Sequence, residues 1–304
     1  MKLKVKEICD KIECIDYVGS SDAVVSEIIA LGNDEMTLKS LFWCSNKNKE
    51  SLLKLVIGTG IISKESYQYL KDNNYKASTN WIVVNNPRLT FMKILNLFFV
   101  QKIKFGSIAK SAVIDSSVKY NLKEVNIGEN VVIERNVEIG ENVEIGHNTV
   151  IKSGTIILDN VKIGSNNTIG GVGFGYEQNE KGEYQMIPHI GNVILKNNVE
   201  IGNNTCIDRA VLGSTVLFEN VKIDNLVHIA HGVKIKKNSL IIANSMIAGS
   251  VEIGENVWVS PSVSIMQKTI INDNALVGMG SVVLKNVESS TIVAGVPAKL
   301  IKKK

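Results

Sequence analysis

Residues 125–154 read VNIGEN, VVIERN, VEIGEN, VEIGHN and TVIKSG, five consecutive blocks of six with isoleucine at the third position of each. The same step runs from Ile127 to Ile169 and again from Ile223 to Val283, with an aliphatic residue at every sixth position. An α-helix turns every ~3.6 residues, so positions six apart would not form one stripe on its surface. A solenoid of six-residue sides does bring them together, and three sides close one coil of about 18 residues. The spacing therefore predicts a mainly β protein built on a parallel β-helix.

Glycine and asparagine follow the isoleucine in many blocks, as in Gly128 and Asn130 or Gly146 and Asn148. Both residue types adopt a positive φ more readily than others. We therefore expect them at the corners of the coils. Neighbouring coils should then lie about 4.8 Å apart, joined by strand hydrogen bonds.

The repeat is absent from residues 1–105, where apolar runs alternate with helical periodicity. This region is predicted to be a small α/β domain, with a helix from Arg88 to Phe99 that Asn86 caps and Pro87 opens. The β-helix is expected over residues 106–288 and a short tail over residues 289–304. The predicted strands of the first domain are Leu41–Cys44, Val56–Ile62 and Trp81–Val84, and a linker is expected near Lys102–Ser107.

Residues 170–192 interrupt the repeat with a loop insert that begins Gly-Gly-Val-Gly-Phe-Gly-Tyr and ends near His189. Insertions in repeat proteins map to surface loops and often to the binding face. Phe174 and Tyr176 are predicted to stack on or wall off a substrate. An ordinary surface loop is the alternative interpretation.

The bulk properties exclude several classes of protein. The net charge of +4 includes the terminal Lys302, Lys303 and Lys304, which reads as a solvated tail and not as a nucleic-acid-binding surface. The apolar run Phe91–Val100 is too short for a membrane span of about 20 residues. No secretory signal, metal-ligand spacing or cysteine pair is visible, so we expect a cytoplasmic protein with free thiols and no metal site.

Several stretches of the chain form a recognisable set of motifs: Gly173-Phe174-Gly175-Tyr176, Ile187-Pro188, Thr205-Cys206-Ile207-Asp208-Arg209, Ile223-Asp224-Asn225 and Ile229-Ala230-His231, with Ser45-Asn46 and Val83-Val84-Asn85-Asn86-Pro87 in the first domain. These stretches resemble the lipid A pathway enzymes that N-acylate UDP-3-O-(3-hydroxyacyl)glucosamine, and the two in the first domain resemble that family's uridine-binding domain. The resemblance implies a left-handed β-helix, a homotrimer with active sites between subunits, a nucleotide-linked amino sugar as acceptor and no bound cofactor.

The same resemblance makes His231 the general base. An amine that attacks a thioester must lose a proton, and a neutral imidazole with a pKa near 6.5 accepts it well. Gly249 lies about one coil of 18 residues further on, so its N–H is a candidate donor to the developing oxyanion. A corner histidine satisfied by backbone groups and a glycine needed only for a turn are the alternatives.

Substrate contacts are predicted at His228, Asn225, Trp43 and Asn46. His228 stands where the family usually has glutamine. Trp43 keeps one of the two aromatic residues of the uridine motif and would stack on the base, whereas Lys49 replaces the other. Core packing of Trp43 and corner capping by His228 are the alternatives. Asp224 and Asn225 are candidates to orient the substrate or His231, and Asp208 and Arg209 are candidates to support the insert.

The end of the chain departs from that family. Lys268 stands where a second histidine is expected, and residues 277–299 resemble sugar acetyltransferases that use acetyl-CoA. That likeness implies a coenzyme A slot formed by Gly278, Gly280 and Gly295, with Lys285 or Lys299 facing phosphates. Simple closure of the solenoid is the alternative.

The sequence therefore predicts an N-acyltransferase that moves a short acyl group from acyl-CoA to a UDP- or dTDP-linked amino sugar in surface glycan synthesis. The first alternative is the lipid A enzyme itself, with a 3-hydroxyacyl group supplied by acyl carrier protein. A non-catalytic scaffold is the second, and O-acylation also stays open.

Overall fold

The computed structural model describes residues 2–20, 22–54, 57–75, 79–101 and 103–304. The chain divides into two compact units, Met1–Ile103 and Lys104–Lys304. The division falls close to the boundary expected after residue 105.

The first unit has one five-stranded mixed sheet and short helices. Four of its strands run parallel, and Asp16–Val18 pairs antiparallel at one edge. Val56, the first residue of one predicted strand, lies outside the described residues. In sheet order the strands are Asp16–Val18, Thr79–Val84, Gly58–Ser63, Ser40–Trp43 and Glu27–Ile28; Leu3–Lys4 and Val24–Val25 form a separate antiparallel pair; the helices are Val5–Cys9, Lys64–Asp72 and Pro87–Ile94, with 3₁₀ turns at Asn46–Leu53 and a π-turn at Leu95–Phe99.

The helix after the last strand of this sheet begins as predicted. The Asn86 side chain accepts a hydrogen bond from the Leu89 N–H at 3.1 Å, and Pro87 occupies the first helical position. Both features satisfy or remove backbone donors that have no partner at a helix start. The α-helix runs over Pro87–Ile94 and widens into a π-turn over Leu95–Phe99.

The second unit is a left-handed parallel β-helix with three faces, as the six-residue step predicted. Ile127 pairs with Ile145 and Ile145 with Ile163, a spacing of 18 residues at each step. The first face is Ser107–Ile108, Val125–Ile127, Val143–Ile145, Lys162–Ile163, Glu200–Ile201, Lys222–Ile223, Leu240–Ile241, Trp258–Val259, Leu276–Val277, Thr291–Ala294 and Lys299–Lys303. The second face is Val113–Ile114, Val132–Ile133, Val150–Ile151, Thr168–Gly171, Cys206–Asp208, His228–Ile229, Met246–Ile247, Ser264–Ile265 and Val282–Val283. The third face is Glu138–Ile139, Ile156–Ile157, Asn192–Leu195, Ser214–Leu217, Lys234–Ile235, Glu252–Ile253 and Ile270–Ile271. A 3₁₀ turn, Leu122–Glu124, precedes the first face's second strand.

The interior of the solenoid is a stack of aliphatic side chains. Each side contributes the repeat isoleucine and, in most blocks, the valine two residues before it, such as Ile229 and Val227. In several blocks a hydroxyl replaces that valine and donates to a backbone carbonyl, as from Thr205 Oγ1 to Asp224 O at 3.1 Å and from Ser239 Oγ to Gly254 O at 2.8 Å. These bonds keep the cost of burying the two hydroxyls low.

Glycine and asparagine at the corners have different roles, which corrects the expectation that both supply positive φ. Asn130, Asn142 and Asn148 have φ between 56° and 58°, but Gly128 and Gly146 do not lie in that region. A Cβ on Gly146 would lie 2.6 Å from the carbonyl carbon of Gly164 in the next coil. Glycine is therefore needed at these positions because stacked coils approach closely, whereas asparagine is favoured because the turn needs a positive φ.

The insert and the chain end complete the second unit. Within the insert, Tyr176–Gln178 and Tyr184–Met186 form an antiparallel hairpin. The segment expected to be a short tail instead forms two strands, because Thr291–Ala294 extends the first face in parallel and Lys299–Lys303 folds back antiparallel upon it. Val293 is buried against the last coil, so this segment closes the core.

Leu226 occupies a corner position that most coils give to asparagine, with φ at 59° and the residue 59% exposed. A left-handed conformation costs an ordinary L-residue about 1–2 kcal/mol and asparagine less. We expect Leu226→Asn to raise the thermal unfolding midpoint. The reciprocal change Asn256→Leu, at φ 55°, should lower it. Unchanged midpoints in both variants would contradict this account of the corners.

Candidate active site

His231 lies at the corner between the second and third faces, directly after the strand His228–Ile229. Its ring is half-buried and outside the aliphatic core. Among the described residues, no group donates a hydrogen bond to the His231 ring or accepts one from it. Neither ring nitrogen therefore has a partner among these residues, and a general base needs at least one nitrogen that is free to accept a proton.

Gly249 lies one coil beyond His231, where the register pairs Ile229 with Ile247. A Cβ on Gly249 would lie 2.8 Å from both Cε1 and Nε2 of His231. The glycine is therefore needed to leave room for the ring. No acceptor among the described residues receives the Gly249 N–H, so this donor lies beside the base without an intramolecular partner.

His189 is the third member of the site, and sequence reasoning missed it. It lies at the end of the insert, is only 8% exposed, and its ring meets that of His231 nearly perpendicularly at a centroid distance of 5.3 Å. Its Nδ1 is 2.7 Å from Ile187 O. The position of His189, immediately after the interruption of the repeat, was the available signal, but the broken register hides which coil it faces.

The environment weakens His231 as a proton acceptor. Burial of the ring lowers the pKa of His231 below the usual 6.5, and the neighbouring His189 lowers it further. The Asp208 carboxylate is directed to a different ring, with Oδ2 3.5 Å from Nε2 of His228. Burial raises the pKa of Asp208, although His228 and His189 oppose that shift.

Arg209 fixes the beginning of the insert. Its Nε donates to Gly170 O at 2.8 Å and its Nη2 to Ser153 O at 2.9 Å, while its backbone N–H donates to Gly171 O. The insert is thus attached at its start by Arg209 and at its end by His189.

Asn225 and Asp224 lie at a different corner from His231, between the first and second faces. The Asn225 side-chain oxygen accepts from the Asn203 backbone N–H at 2.7 Å, and its Nδ2 donates to Asp224 Oδ1 at 2.8 Å. Asp224 Oδ2 also accepts from the Ala243 N–H. The structure gives this amide a role in stacking coils, and a substrate contact at Asn225 stays a prediction.

The other predicted substrate residues of the β-helix are accessible. Phe174 is 87% exposed and stacks at a tilt against Tyr176, with 4.9 Å between ring centroids. His228 is half-buried on the second face, in register with Cys206 and Met246. Substrate contacts by all three stay predictions.

The predicted nucleotide-binding residues belong to the first unit. Trp43 packs against Phe91 and lines a cavity of about 560 Å³ together with Ser45 and Asn48. The Asn46 side chain is engaged elsewhere: it accepts from Ser63 and Ser66 hydroxyls and donates to Glu65. Lys49 also pairs with Glu65, at 2.8 Å. The cavity at Trp43 is therefore large enough for a base to stack there. The Asn46 side chain instead bonds to residues at the start of the helix Lys64–Asp72.

The glycines assigned to a coenzyme A slot have structural explanations. A Cβ on Gly278 would lie 2.8 Å from the Ala294 Cβ, and Gly280 and Gly295 have φ of 65° and 101°. Lys285 lines a cavity of about 530 Å³ at the end of the solenoid, with Lys303 and Lys304. A coenzyme role for these four positions stays a prediction. The three glycines are explained by packing and positive φ without it.

Across the described ranges, no cluster of histidine, cysteine and carboxylate side chains has the composition of a metal site. The same ranges contain no helix with the length and apolar character needed to cross a bilayer.

Comparison with known proteins agrees with this geometry. The family pattern described as bacterial transferase hexapeptide (six repeats) matches residues 124–158 and 250–285. A UDP-3-O-acylglucosamine N-acyltransferase of Campylobacter lari is 36% identical over 311 residues, which cover 99% of this chain and 94% of the relative. One of Coxiella burnetii is 41% identical over 188 residues, or 56% of this chain and 55% of the relative. The solved UDP-N-acetylglucosamine acyltransferase of Francisella novicida matches with a TM-score of 0.60 at 25% identity, over 65% of this chain and 70% of that one.

The β-helix of six-residue sides and the acyltransferase relatives place the chain among the hexapeptide-repeat acyltransferases. The similarity to the Campylobacter lari relative extends over nearly the full length of both proteins. The chain belongs to the family of UDP-3-O-acylglucosamine N-acyltransferases.

The lowered pKa of His231 predicts a pH dependence for its expected role as general base. A histidine base works only when neutral, so a pKa below the usual 6.5 would extend activity to more acidic pH. Because kcat/KM reports ionisations of the free enzyme, its acidic limb should have a midpoint below pH 6.5. A midpoint above that value would contradict the described surroundings of the ring.

We expect Gly249→Ala to reduce kcat by about 100-fold, because the added methyl group displaces the imidazole from its working position. The fold should persist, since the contact falls on the end of the His231 side chain and not on backbone. Steady-state kinetics and the thermal unfolding midpoint check this together. Wild-type kcat in a folded variant would show that the ring tolerates the methyl group.

Proposed function

We propose that this protein transfers an acyl group from a carrier-protein thioester to the amine of UDP-3-O-acylglucosamine. The observation that carries the proposal is the corner where His231 meets Gly249, in a chain similar along its whole length to enzymes of that name. The similarity supports the alternative considered from sequence better than transfer of a short acyl group from acyl-CoA to a surface-glycan sugar.

The chemistry follows from the two groups at the corner. The sugar amine attacks the thioester carbonyl carbon, a C–N bond forms, and His231 takes the proton from nitrogen. The carbonyl oxygen becomes an oxyanion, which the Gly249 N–H is placed to stabilise. Collapse of this intermediate breaks the C–S bond, and the departing thiolate takes the proton from the imidazolium. The products are an amide and a free thiol, and no bound cofactor is consumed.

The donor is proposed as acyl carrier protein because the chain's specific motifs are those of the lipid A enzymes. The features that suggested coenzyme A are glycines at the chain end, and packing and positive φ account for them. The long apolar product of the lipid A reaction also agrees with the exposed aromatic wall formed by Phe174 and Tyr176.

Two further properties belong to this proposal. The first unit would hold the nucleotide, with Trp43 in the cavity described above. Assembly as a homotrimer and a cytoplasmic location stay predictions, and light scattering at assay concentration tests the assembly.

The decisive experiment compares donors on purified protein with UDP-3-O-(3-hydroxyacyl)glucosamine as acceptor. We expect turnover with 3-hydroxyacyl carrier protein and little with acetyl-CoA. His231→Ala should lower kcat by about 10²- to 10⁴-fold, the usual contribution of a positioned base. His147→Ala is the matched control, because His147 lies at another corner and accepts from the Glu129 N–H.

Preference for acetyl-CoA would restore the short-acyl interpretation. Full turnover by His231→Ala, with His147→Ala unchanged, would remove His231 as the base.

A further inference from the structure

The His231 ring has no hydrogen-bonded support of the usual kind. Bases in acyl transfer are commonly oriented by a third group that bonds to the second ring nitrogen. Among the described residues none does so here, and the buried carboxylate nearby, Asp208, is directed to His228. The ring lies instead against Gly249 and the ring of His189.

His189 is itself firmly held. Its Nδ1 lies 2.7 Å from Ile187 O, and since a carbonyl oxygen only accepts, Nδ1 carries the proton. Nε2 is buried and has no hydrogen-bond partner among the described residues. A buried nitrogen without a partner is uncommon in folded proteins and is often associated with a functional role.

The first part of the insert packs closely against the His189 ring. A Cβ on Gly173 would lie 2.9 Å from Nε2 of His189 and 3.0 Å from Cβ of His231, and one on Gly175 would lie 3.1 Å from Cε1 of His189. These two glycines flank Phe174 and precede Tyr176. The segment that carries the exposed aromatic pair is therefore packed directly on His189.

We propose that His189 is a positioning residue for acyl transfer, which holds the His231 imidazole by edge-to-face packing and fastens the insert beside it through the Nδ1–Ile187 bond. The inference rests on the proposed role of His231 as base. It gives the insert a direct link to the reacting corner, so that the substrate wall and the base keep a fixed geometry.

Two substitutions separate the ring from the bond. His189→Asn keeps a donor for Ile187 O and removes the ring, so we expect kcat to fall about 10- to 100-fold with KM for the sugar acceptor little changed. His189→Phe keeps a ring and removes the donor to Ile187 O, so the insert loses one hydrogen bond. We expect KM for the sugar acceptor to rise several-fold, as the loss of one hydrogen bond predicts, and kcat to be largely retained.

The pH profile gives a readout that a merely structural role would not move. Among the described residues, the charged or titratable side chains near this corner include Asp208 and His228 on the second face, His189 in the insert, and Arg209 and Lys268 in the neighbouring coils. Of these, His189 is the one that acts on the pKa of His231. His189 contributes to the low pKa of His231, so His189→Phe should move the acidic limb of kcat/KM to higher pH. The chain has only four histidines, so the ¹⁵N resonances of His231 can be assigned as those that His231→Ala removes. Their shift with pH then reports the titration of His231 without any turnover. His147→Asn is the matched control and should leave the spectrum of His231 and the kinetics unchanged.

Wild-type kcat, KM and pH limb in both His189 variants would overturn the inference. So would a loss of activity that only parallels a lower unfolding midpoint, with the His231 titration unchanged. If His231→Ala is inactive and the His189 variants behave as wild type, only this inference fails. If His231→Ala retains full turnover, the proposed function fails first.

Discussion

The structure depends on the hydrogen-bonded register between coils. In the uninterrupted coils each strand pairs in parallel with the strand 18 residues later, as Ile127 does with Ile145. The buried isoleucines hold that register because a slip of one residue would turn them outward. The same register brings Gly249 against His231. A periodic scaffold thus converts sequence spacing directly into the geometry of a site.

This conversion explains which parts of the protein were predictable. The β-helix and the meeting of His231 with Gly249 follow from periodicity, and the helix start at Asn86 and Pro87 follows from local capping chemistry. His189 was not predictable in the same way, because the insert breaks the six-residue count and its return path is set by tertiary contacts such as Arg209 with Gly170. The closing strand Lys299–Lys303 was not predicted for a related reason. Its lysines resemble a solvated tail, and it forms a strand because it pairs with Thr291–Ala294.

Corner residues show why one composition serves two physical needs. Asparagine tolerates the left-handed turn that ends many sides, and its amide can bond to the next coil, as Asn130 does to Asn148 at 3.1 Å. Glycine is used where a Cβ would strike the neighbouring coil. Gly249 belongs to the second group with one difference, because the atoms it leaves room for are those of an imidazole and not of backbone. The absence of a side chain at Gly249 thus leaves room for the imidazole that we propose as the base.

The absence of a carboxylate bonded to His231, among the described residues, suits the acceptor proposed for this site. A carboxylate there would raise the pKa of the imidazole and favour its protonated form, which is unable to take a proton from the amine. Burial and the neighbouring His189 act in the opposite direction and keep the ring neutral. They also make the imidazolium formed during attack less stable, so that it passes its proton readily to the departing thiolate, whose own pKa is about 8.5 in water. Packing by a second imidazole would thus orient the proposed base and favour its neutral form. The lower pKa eases protonation of sulfur, whereas it weakens the pull on the amine proton.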